Sequence, residues 1–187
     1  MEKRSNTYVM MFCSVAIAVN IVLGIVTSAL KIPLYLDTLG TVLAAVLFGP
    51  LPGVIVGALT NVVTGLIYDV KDIPFALVNM AVGLVTGLVC RKFRFTLLTA
   101  VLLGLALSFI CPAIGTPIGI FVYGGLNGSF SDVLVMALVK GGQTIFQASF
   151  LRNVASNLID KVGTCVVAYV LTEALSRLGG KKDVGTI

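Results

Sequence analysis

The sequence contains no histidine, and this absence excludes the commonest kinds of enzyme site. A Ser-His or Cys-His nucleophilic pair cannot be built, and a metal site of the usual His/Cys type is not expected. No Walker lysine motif is present, so ATP hydrolysis by that mechanism must occur on another protein. The cysteines Cys13, Cys90, Cys111 and Cys165 lie far apart in apolar segments, where we expect buried thiols. We therefore predict a protein that is not an enzyme and has no metal site and no cofactor.

Charged residues are also scarce, at 11% of the 187 residues, against roughly 25% in an average soluble domain. Hydrophobic residues make up 58%, which a soluble fold of this size could not bury, whereas a lipid bilayer solvates an apolar surface. The net charge of +5 comes from short basic clusters between apolar runs, which indicates membrane topology and not nucleic-acid binding. We predict one all-α integral membrane domain over residues 1–187. We expect its first apolar run to be a membrane helix and not a cleaved signal peptide.

Apolar runs divide the chain into a predicted bundle of six transmembrane helices, since a span needs roughly 20 apolar residues. The second and third runs are short, and together they could instead form one re-entrant hairpin. Residues 131–148 are less apolar and predict a structured outer loop, with a short amphipathic helix, between the last two spans. Pro112 and Pro117 predict a kink or break in the fifth span. The predicted spans cover residues 8–30, 38–48, 54–68, 74–90, 95–122 and 153–178.

Basic residues are distributed unevenly between the two ends of these predicted spans. With the N-terminus inside, the inner positions carry eight lysines and arginines and the outer positions carry five. The positive-inside rule therefore favours six spans, with both termini in the cytoplasm of a bacterial cell. The inner set is Lys3, Arg4, Arg91, Lys92, Arg94, Arg177, Lys181 and Lys182, and the outer set is Lys31, Lys71, Lys140, Arg152 and Lys161.

Polar side chains inside apolar helices are the sharpest functional signal, because lipid offers them no hydrogen bonds. Any one of them could equally tie helices together or cap a helix, but most fall towards the outer side, which favours a binding site. Their amide groups suit a neutral, planar ligand that is rich in heteroatoms. The predicted substrate-binding residues are Asp37, Asn61, Tyr68, Asn79, Lys140, Gln143, Gln147, Asn153 and Asn157.

Other residues could complete such a site. Lys140 or Arg152 could hold an anionic group on the ligand. Aromatic side chains could provide apolar or stacking walls; these are Tyr35, Tyr68, Phe75, Tyr123 and Phe146.

Small residues recur at intervals of four, a spacing that lets helix backbones approach closely in lipid. We expect internal packing for most of them. Ser14 and Ala18 on the first helix could instead face a partner subunit. The other repeats are Gly49, Gly53 and Gly57, then Gly83 and Gly87, Gly115 and Gly119, and Gly124 and Gly128.

Three stretches resemble the substrate-binding (S) components of energy-coupling factor (ECF) transporters, and they are most similar to the riboflavin-type branch, whose members need not share a substrate. The stretches are Tyr35-Leu36-Asp37-Thr38-Leu39-Gly40-Thr41 running into Phe48-Gly49-Pro50, then Gly57-Ala58-Leu59-Thr60-Asn61, and Pro74-Phe75-Ala76-Leu77-Val78-Asn79.

The resemblance implies a subunit that binds a vitamin or related micronutrient on the outside and docks on an EcfT-like membrane coupling protein driven by two ATPase subunits. It also implies that the subunit topples in the bilayer to release the ligand inside. The family docks through an Ala-x-x-x-Ala pattern, for which the best match is Ser14-Val15-Ala16-Ile17-Ala18, with serine in the first place.

The sequence also allows two other functions to be considered. A stand-alone facilitator or small channel would transport its solute without ATPase partners. A membrane enzyme would need a nucleophile–base pair or a metal site, against which the absent histidines count. A flavin, a nucleobase-like ring, pantothenate or a cobalamin precursor would each suit an amide-rich pocket, so the ligand stays open at this point.

Overall fold

The computed structural model describes residues 6–30, 36–126 and 132–178, and these parts of the chain contain helices and no strand. The predictions for Lys3, Arg4, Lys31, Tyr35, Gly128, Lys181 and Lys182, and for the two termini, lie outside the described residues. In order, the helices are α1 (Asn6–Ala29), α2 (Leu39–Phe48), α3 (Pro50–Ile67), a 3-10 helix (Val70–Phe75), α4 (Ala76–Lys92), α5 (Leu97–Tyr123), α6 (Asp132–Lys140) and α7 (Ile145–Leu178).

Five segments of the described chain are long and apolar enough to cross a membrane: α1, α3, the 3-10 helix together with α4, α5, and α7. Helix α2 is apolar but has only 10 residues, about 15 Å, which is half the thickness of a bilayer core. The chain is therefore a multi-pass membrane bundle with five candidate spans and one shorter apolar helix. The count of six spans stays a prediction.

Helix α7 begins at Ile145, earlier than the predicted start at residue 153. A capping box explains this start. The Thr144 amide donates to Gln147 Oε1 at 3.1 Å, and the Gln147 amide donates to Thr144 Oγ1 at 3.3 Å. The stretch 131–148 therefore contains α6 and the first turn of α7. Helix α5 continues through both of its prolines without a break.

Helices α3 and α4 pack as an antiparallel pair on their glycines. A Cβ atom at Gly53 would lie 3.0 Å from Gly83, and one at Gly57 would lie 2.5 Å from the carbonyl oxygen of Asn79. Backbones approach this closely only where side chains are absent. The repeated glycines of these two helices thus serve internal packing.

The core of the bundle lies between α2, α4, α5 and α7. Each of these helices contributes a fully buried side chain to the core; they are Val42, Val82, Leu107 and Cys165. We call the end of the bundle that carries Phe75 and Tyr123, whose rings stack at 6.3 Å, the outer end, following the predicted topology. The opposite, inner end carries the exposed basic turn between α4 and α5.

Candidate functional site

Asn79, near the start of α4, lies at the centre of a buried amide cluster and is 2% exposed. Its Oδ1 accepts a hydrogen bond from Thr41 Oγ1 of α2 at 2.8 Å. Its Nδ2 donates to Asn61 Oδ1 of α3 at 2.9 Å. One side chain therefore joins three helices.

Asn20 extends this cluster to α1, where it is fully buried. Its Nδ2 donates to Thr41 Oγ1 at 3.0 Å and to Thr60 Oγ1 at 3.1 Å. Its Oδ1 accepts the backbone N–H of Gly40 at 2.6 Å. The side chain thus has its partners within the protein, as a polar group enclosed in a membrane bundle requires.

A charged pair lies next to the amides, near the middle of α7. Lys161 is 3% exposed and Asp160 is fully buried. Lys161 Nζ lies 2.6 Å from Asp160 Oδ2 and donates to Thr38 Oγ1 at 3.0 Å. The other oxygen of Asp160 accepts the backbone N–H of Leu36 at 2.9 Å. The pair therefore holds the segment before α2 against α7.

Asp37 joins the amides to the charged pair. Its carbonyl oxygen lies 3.5 Å from Asn79 Nδ2, and its carboxylate lies 4.0 Å from Lys161 Nζ. About a third of its side chain is exposed, at 35%. Burial raises the pKa of the Asp37 carboxyl above its ordinary value, and the Lys161 charge opposes that rise. We call the whole set the polar core: Asn20, Asp37, Thr38, Thr41, Thr60, Asn61, Asn79, Asp160 and Lys161.

A second polar group lies nearer the outer end and ties α6 to α7 and α5. Arg152, which is 5% exposed, forms an ion pair with Asp132 of α6. Asn153 accepts from Arg152 at 3.1 Å and donates to Thr116 Oγ1 at 3.0 Å. Asn157 donates to the carbonyl oxygen of Asn153 at 2.9 Å. We call these residues the outer polar cluster.

The structure divides the predicted binding residues into three groups. Asp37, Asn61 and Asn79 meet in the polar core, and Asn153 and Asn157 belong to the outer polar cluster. The rest have exposed side chains; they are Tyr68, at 60% exposed, Lys140, Gln143 and Gln147.

Of the aromatic residues predicted as walls, Phe75 and Tyr123 lie together at the outer end. The Tyr123 hydroxyl also donates to Asp72 at 2.7 Å, which fixes the 3-10 helix against α5. Phe146 stacks on Phe150 at 6.0 Å.

Two residues counted as outer loop charges prove to be buried in α7. Arg152 and Lys161 carry carboxylate partners within the bundle and belong to no loop. Without these two residues the outer positions carry fewer basic residues, so the excess of positive charge at the inner positions remains. Adjacent Asp160 and Lys161 within an apolar run were the available signal of a buried ion pair, and the prediction did not use it.

Asn20 was also missed by sequence reasoning, together with its threonine partners Thr41 and Thr60. Asn20 stands alone in the middle of the first apolar run, and that isolation was the available signal. Thr41 and Thr60 gave no comparable signal, because a threonine hydroxyl can donate a hydrogen bond to the backbone of its own helix in lipid.

Ser14 and Ala18 lie on the exposed face of α1, with Val15 between them at 62% exposed. The Ser14 hydroxyl donates to the carbonyl oxygen of Met10 at 3.1 Å, so it is bonded within its own helix. Ala16 faces the opposite way and packs on Gly40. This stretch of α1 therefore presents one small-residue face inward and another outward.

Within the described ranges, no group of three His, Cys, Asp or Glu side chains is placed to hold a metal ion. The four cysteines are free thiols. Cys111 and Cys165 are buried as predicted, whereas Cys13 and Cys90 are only half-buried.

A family model described as ECF-type riboflavin transporter, S component, matches residues 4–177. The matched range extends from α1 to the last turn of α7 and includes both the polar core and the outer polar cluster. No curated protein and no solved structure matches the chain significantly. The chain therefore belongs to the family of S components of ECF-type riboflavin transporters, which are substrate-specific transport subunits and not enzymes.

Proposed function

We propose that this S component captures a water-soluble vitamin of the flavin type, with riboflavin as the first candidate, on the extracellular side of a bacterial cell membrane. The ligand would then pass to the cytoplasm through a membrane-embedded ECF module, made of an EcfT-like coupling subunit and two ATPase subunits. Six spans with both termini inside complete this proposal. Helix α2 would then be a short sixth span, which reaches across only part of the bilayer.

The polar core is the observation that carries the proposal. Asn61 is half-buried and bonded to Asn79, which is buried behind it, and Asp37 presents a partly exposed carboxylate beside Asn79. An imide or hydroxyl of a flavin could bond to such donors and acceptors. Grouping them in largely apolar surroundings strengthens each bond, because little water competes there.

The docking surface proposed for the coupling subunit is the exposed face of α1 that contains Ser14 and Ala18. This face has small residues beside large exposed apolar ones such as Val15 and Met11, at 62% and 65% exposed. Small residues permit close helix contact in a membrane. We propose that this face meets a helix of the EcfT-like subunit.

Riboflavin binding by the purified chain tests the first part of the proposal. The protein is placed in lipid nanodiscs and titrated with riboflavin, whose fluorescence falls when the ring is enclosed. We expect saturable binding at one site. Native mass spectrometry of protein purified without added ligand should detect the same compound.

A matched pair of variants locates the site. Asn61→Leu should weaken riboflavin binding at least about tenfold, a loss of about 1.4 kcal/mol. Asn6→Leu makes the same change at the exposed first residue of α1 and should leave binding unchanged. Equal affinities in the two variants, with both proteins folded, would exclude the polar core as the flavin site.

A further inference from the structure

The inner end of the bundle carries a run of positive charge between α4 and α5. We call Arg91, Lys92, Phe93 and Arg94 the cationic turn, and all four side chains are exposed. Within the part of the chain that the structure describes, none of its three basic side chains forms an ion pair. Glu173, the described carboxylate towards the same end, already has a basic partner on its own helix. Three adjacent positive charges are therefore available to a partner outside the described bundle.

The backbone of the cationic turn is held in one shape by hydrogen bonds. The Arg94 carbonyl oxygen accepts from the Thr96 amide at 3.0 Å and from Thr99 Oγ1 at 2.9 Å. Thr96 Oγ1 in turn accepts from the Thr99 amide at 3.3 Å, and the Phe93 amide donates to the Val89 carbonyl oxygen at 2.8 Å. A ligand of this turn would have to order only the basic side chains, so binding would cost little conformational entropy.

The lengths of the adjoining helices place the cationic turn at the level of the lipid headgroups. Helix α5 has 27 residues, or about 40 Å, which exceeds the roughly 30 Å of a bilayer core. The candidate span that ends with α4 has 23 residues, or about 35 Å. The Phe93 ring is 56% exposed, and Lys92 Nζ lies 5.7 Å from its centroid. An exposed ring beside an ammonium group suits the boundary where apolar and charged groups both find partners.

An apolar face of α5 begins four residues after Arg94 and continues towards the middle of the membrane. Its side chains recur at intervals of three and four, so they lie on one side of the helix, and all of them are exposed. A free phosphate ion could use only the cationic turn. A phospholipid could use both features, with its headgroup at the turn and an acyl chain along this face. We call these residues the leucine face: Leu98, Leu102, Leu105 and Phe109.

We propose that the cationic turn and the leucine face together bind a phospholipid whose headgroup carries a net negative charge, in the leaflet at the inner end of the bundle. Arginine side chains can bind two phosphate oxygens at once, whereas a lysine acts as a point charge. Each basic side chain near an anionic membrane surface strengthens attachment by about fivefold. The site lies at the opposite end of the bundle from Phe75 and Tyr123, and it goes beyond the capture of a vitamin.

Two lipids that differ only in headgroup charge provide the test. The purified full chain is placed in micelles with equal amounts of phosphatidylglycerol, which is anionic, and phosphatidylcholine, which has no net charge, both with the same acyl chains. Native mass spectrometry should show that the wild type retains phosphatidylglycerol over phosphatidylcholine by about tenfold or more. Lys92→Gln should lower that ratio by about fivefold. Lys71→Gln removes the same charge from an exposed position near the outer end and should leave the ratio unchanged.

Four other outcomes would overturn the proposal. Equal retention of the two lipids by the wild type would show that no headgroup charge is recognised. Equal ratios in Lys92→Gln and Lys71→Gln would exclude the cationic turn as the site. Displacement of the lipid by inorganic phosphate at constant ionic strength would show that the leucine face contributes nothing. If Arg91→Gln/Lys92→Gln/Arg94→Gln kept the lipid preference but lost uptake with the ECF module, the turn would instead serve an acidic protein partner.

Discussion

Individual polar side chains join the helices of this bundle by hydrogen bonds, for which the surrounding lipid offers no partners. Asn20 is the clearest case, because its side chain makes three hydrogen bonds to two other helices. A leucine there would have a similar volume but would strip Thr60 and the Gly40 amide of their partner. Buried groups left unpaired cost about 1–3 kcal/mol each.

Asn20→Leu should therefore lower the thermal unfolding temperature of the protein in nanodiscs by several degrees, since a loss of about 1 kcal/mol shifts a domain of this size by about 2–4 °C. Differential scanning fluorimetry with a thiol-reactive dye suits the measurement, because Cys111 and Cys165 are buried in the folded state. Asn6→Leu is the control and should unfold as the wild type does. Coincident melting curves for the three proteins would contradict a structural role for Asn20.

Lys161 and Asp160 form a pair whose members depend on each other. Lys161→Met leaves the fully buried Asp160 without its ammonium partner, which typically costs about 3–5 kcal/mol. Asp160→Asn in the same chain removes the unpaired charge and keeps an oxygen to accept the Leu36 amide. We expect the double variant to be more stable than Lys161→Met alone, as measured by denaturant unfolding in mixed micelles. Strictly additive losses would show that the two side chains act independently.

The sequence singled out Asn61 and Asn79 as polar residues within apolar runs, and the structure brings the two side chains together. It did not identify the contact of Lys161 with Thr38, which joins positions 123 residues apart. The sequence around a lysine in an apolar helix does not show whether its ammonium group reaches the membrane surface or pairs with a carboxylate inside the bundle. The start of α7 at Ile145 also differs from the predicted start of the last span, because the Thr144–Gln147 capping box begins the helix within a stretch whose composition resembles a loop.

At the scale of elements, the α3–α4 pair depends on the lack of side chains at its contact. A Cβ atom at Gly57 would lie 2.5 Å from the Asn79 carbonyl oxygen, so the helices must separate to admit even a methyl group. Separation would also move Asn79 away from Asn61 and so disturb the polar core. We therefore expect helix packing at this contact and the proposed ligand binding to be coupled.

Gly57→Ala should consequently destabilise the protein and weaken riboflavin binding together. Gly163→Ala is the matched control, because a Cβ atom at that position in α7 meets nothing within 4 Å. There the alanine should be neutral or stabilising by up to about 1 kcal/mol, owing to its better helix propensity. Melting temperature and riboflavin affinity are both measured, and a fall in both for Gly163→Ala but not for Gly57→Ala would contradict the packing argument.

At the scale of the whole molecule, ligand capture and transport should separate. The polar core faces the interior of the bundle, whereas Ser14 and Ala18 lie on the outside of α1. A change on that outer face can therefore block a partner without touching the ligand.

Ala18→Trp should retain riboflavin binding in nanodiscs and lose ATP-dependent riboflavin uptake in proteoliposomes that also contain the ECF module. The bulky ring would hold a partner helix away from α1. Val22→Trp, one helical turn further along and also exposed, measures how far the contact extends. Uptake by liposomes that contain this chain alone would instead support a facilitator.

The stacked rings of Phe75 and Tyr123 at the outer end provide a position for a fluorescent reporter of ligand binding. The chain contains no tryptophan, so Phe75→Trp would install its sole indole beside Tyr123. Indole emission overlaps flavin absorption, so a bound flavin would quench that emission by resonance energy transfer. The arrival and departure of the vitamin could then be followed in real time by stopped-flow spectroscopy, with no attached dye.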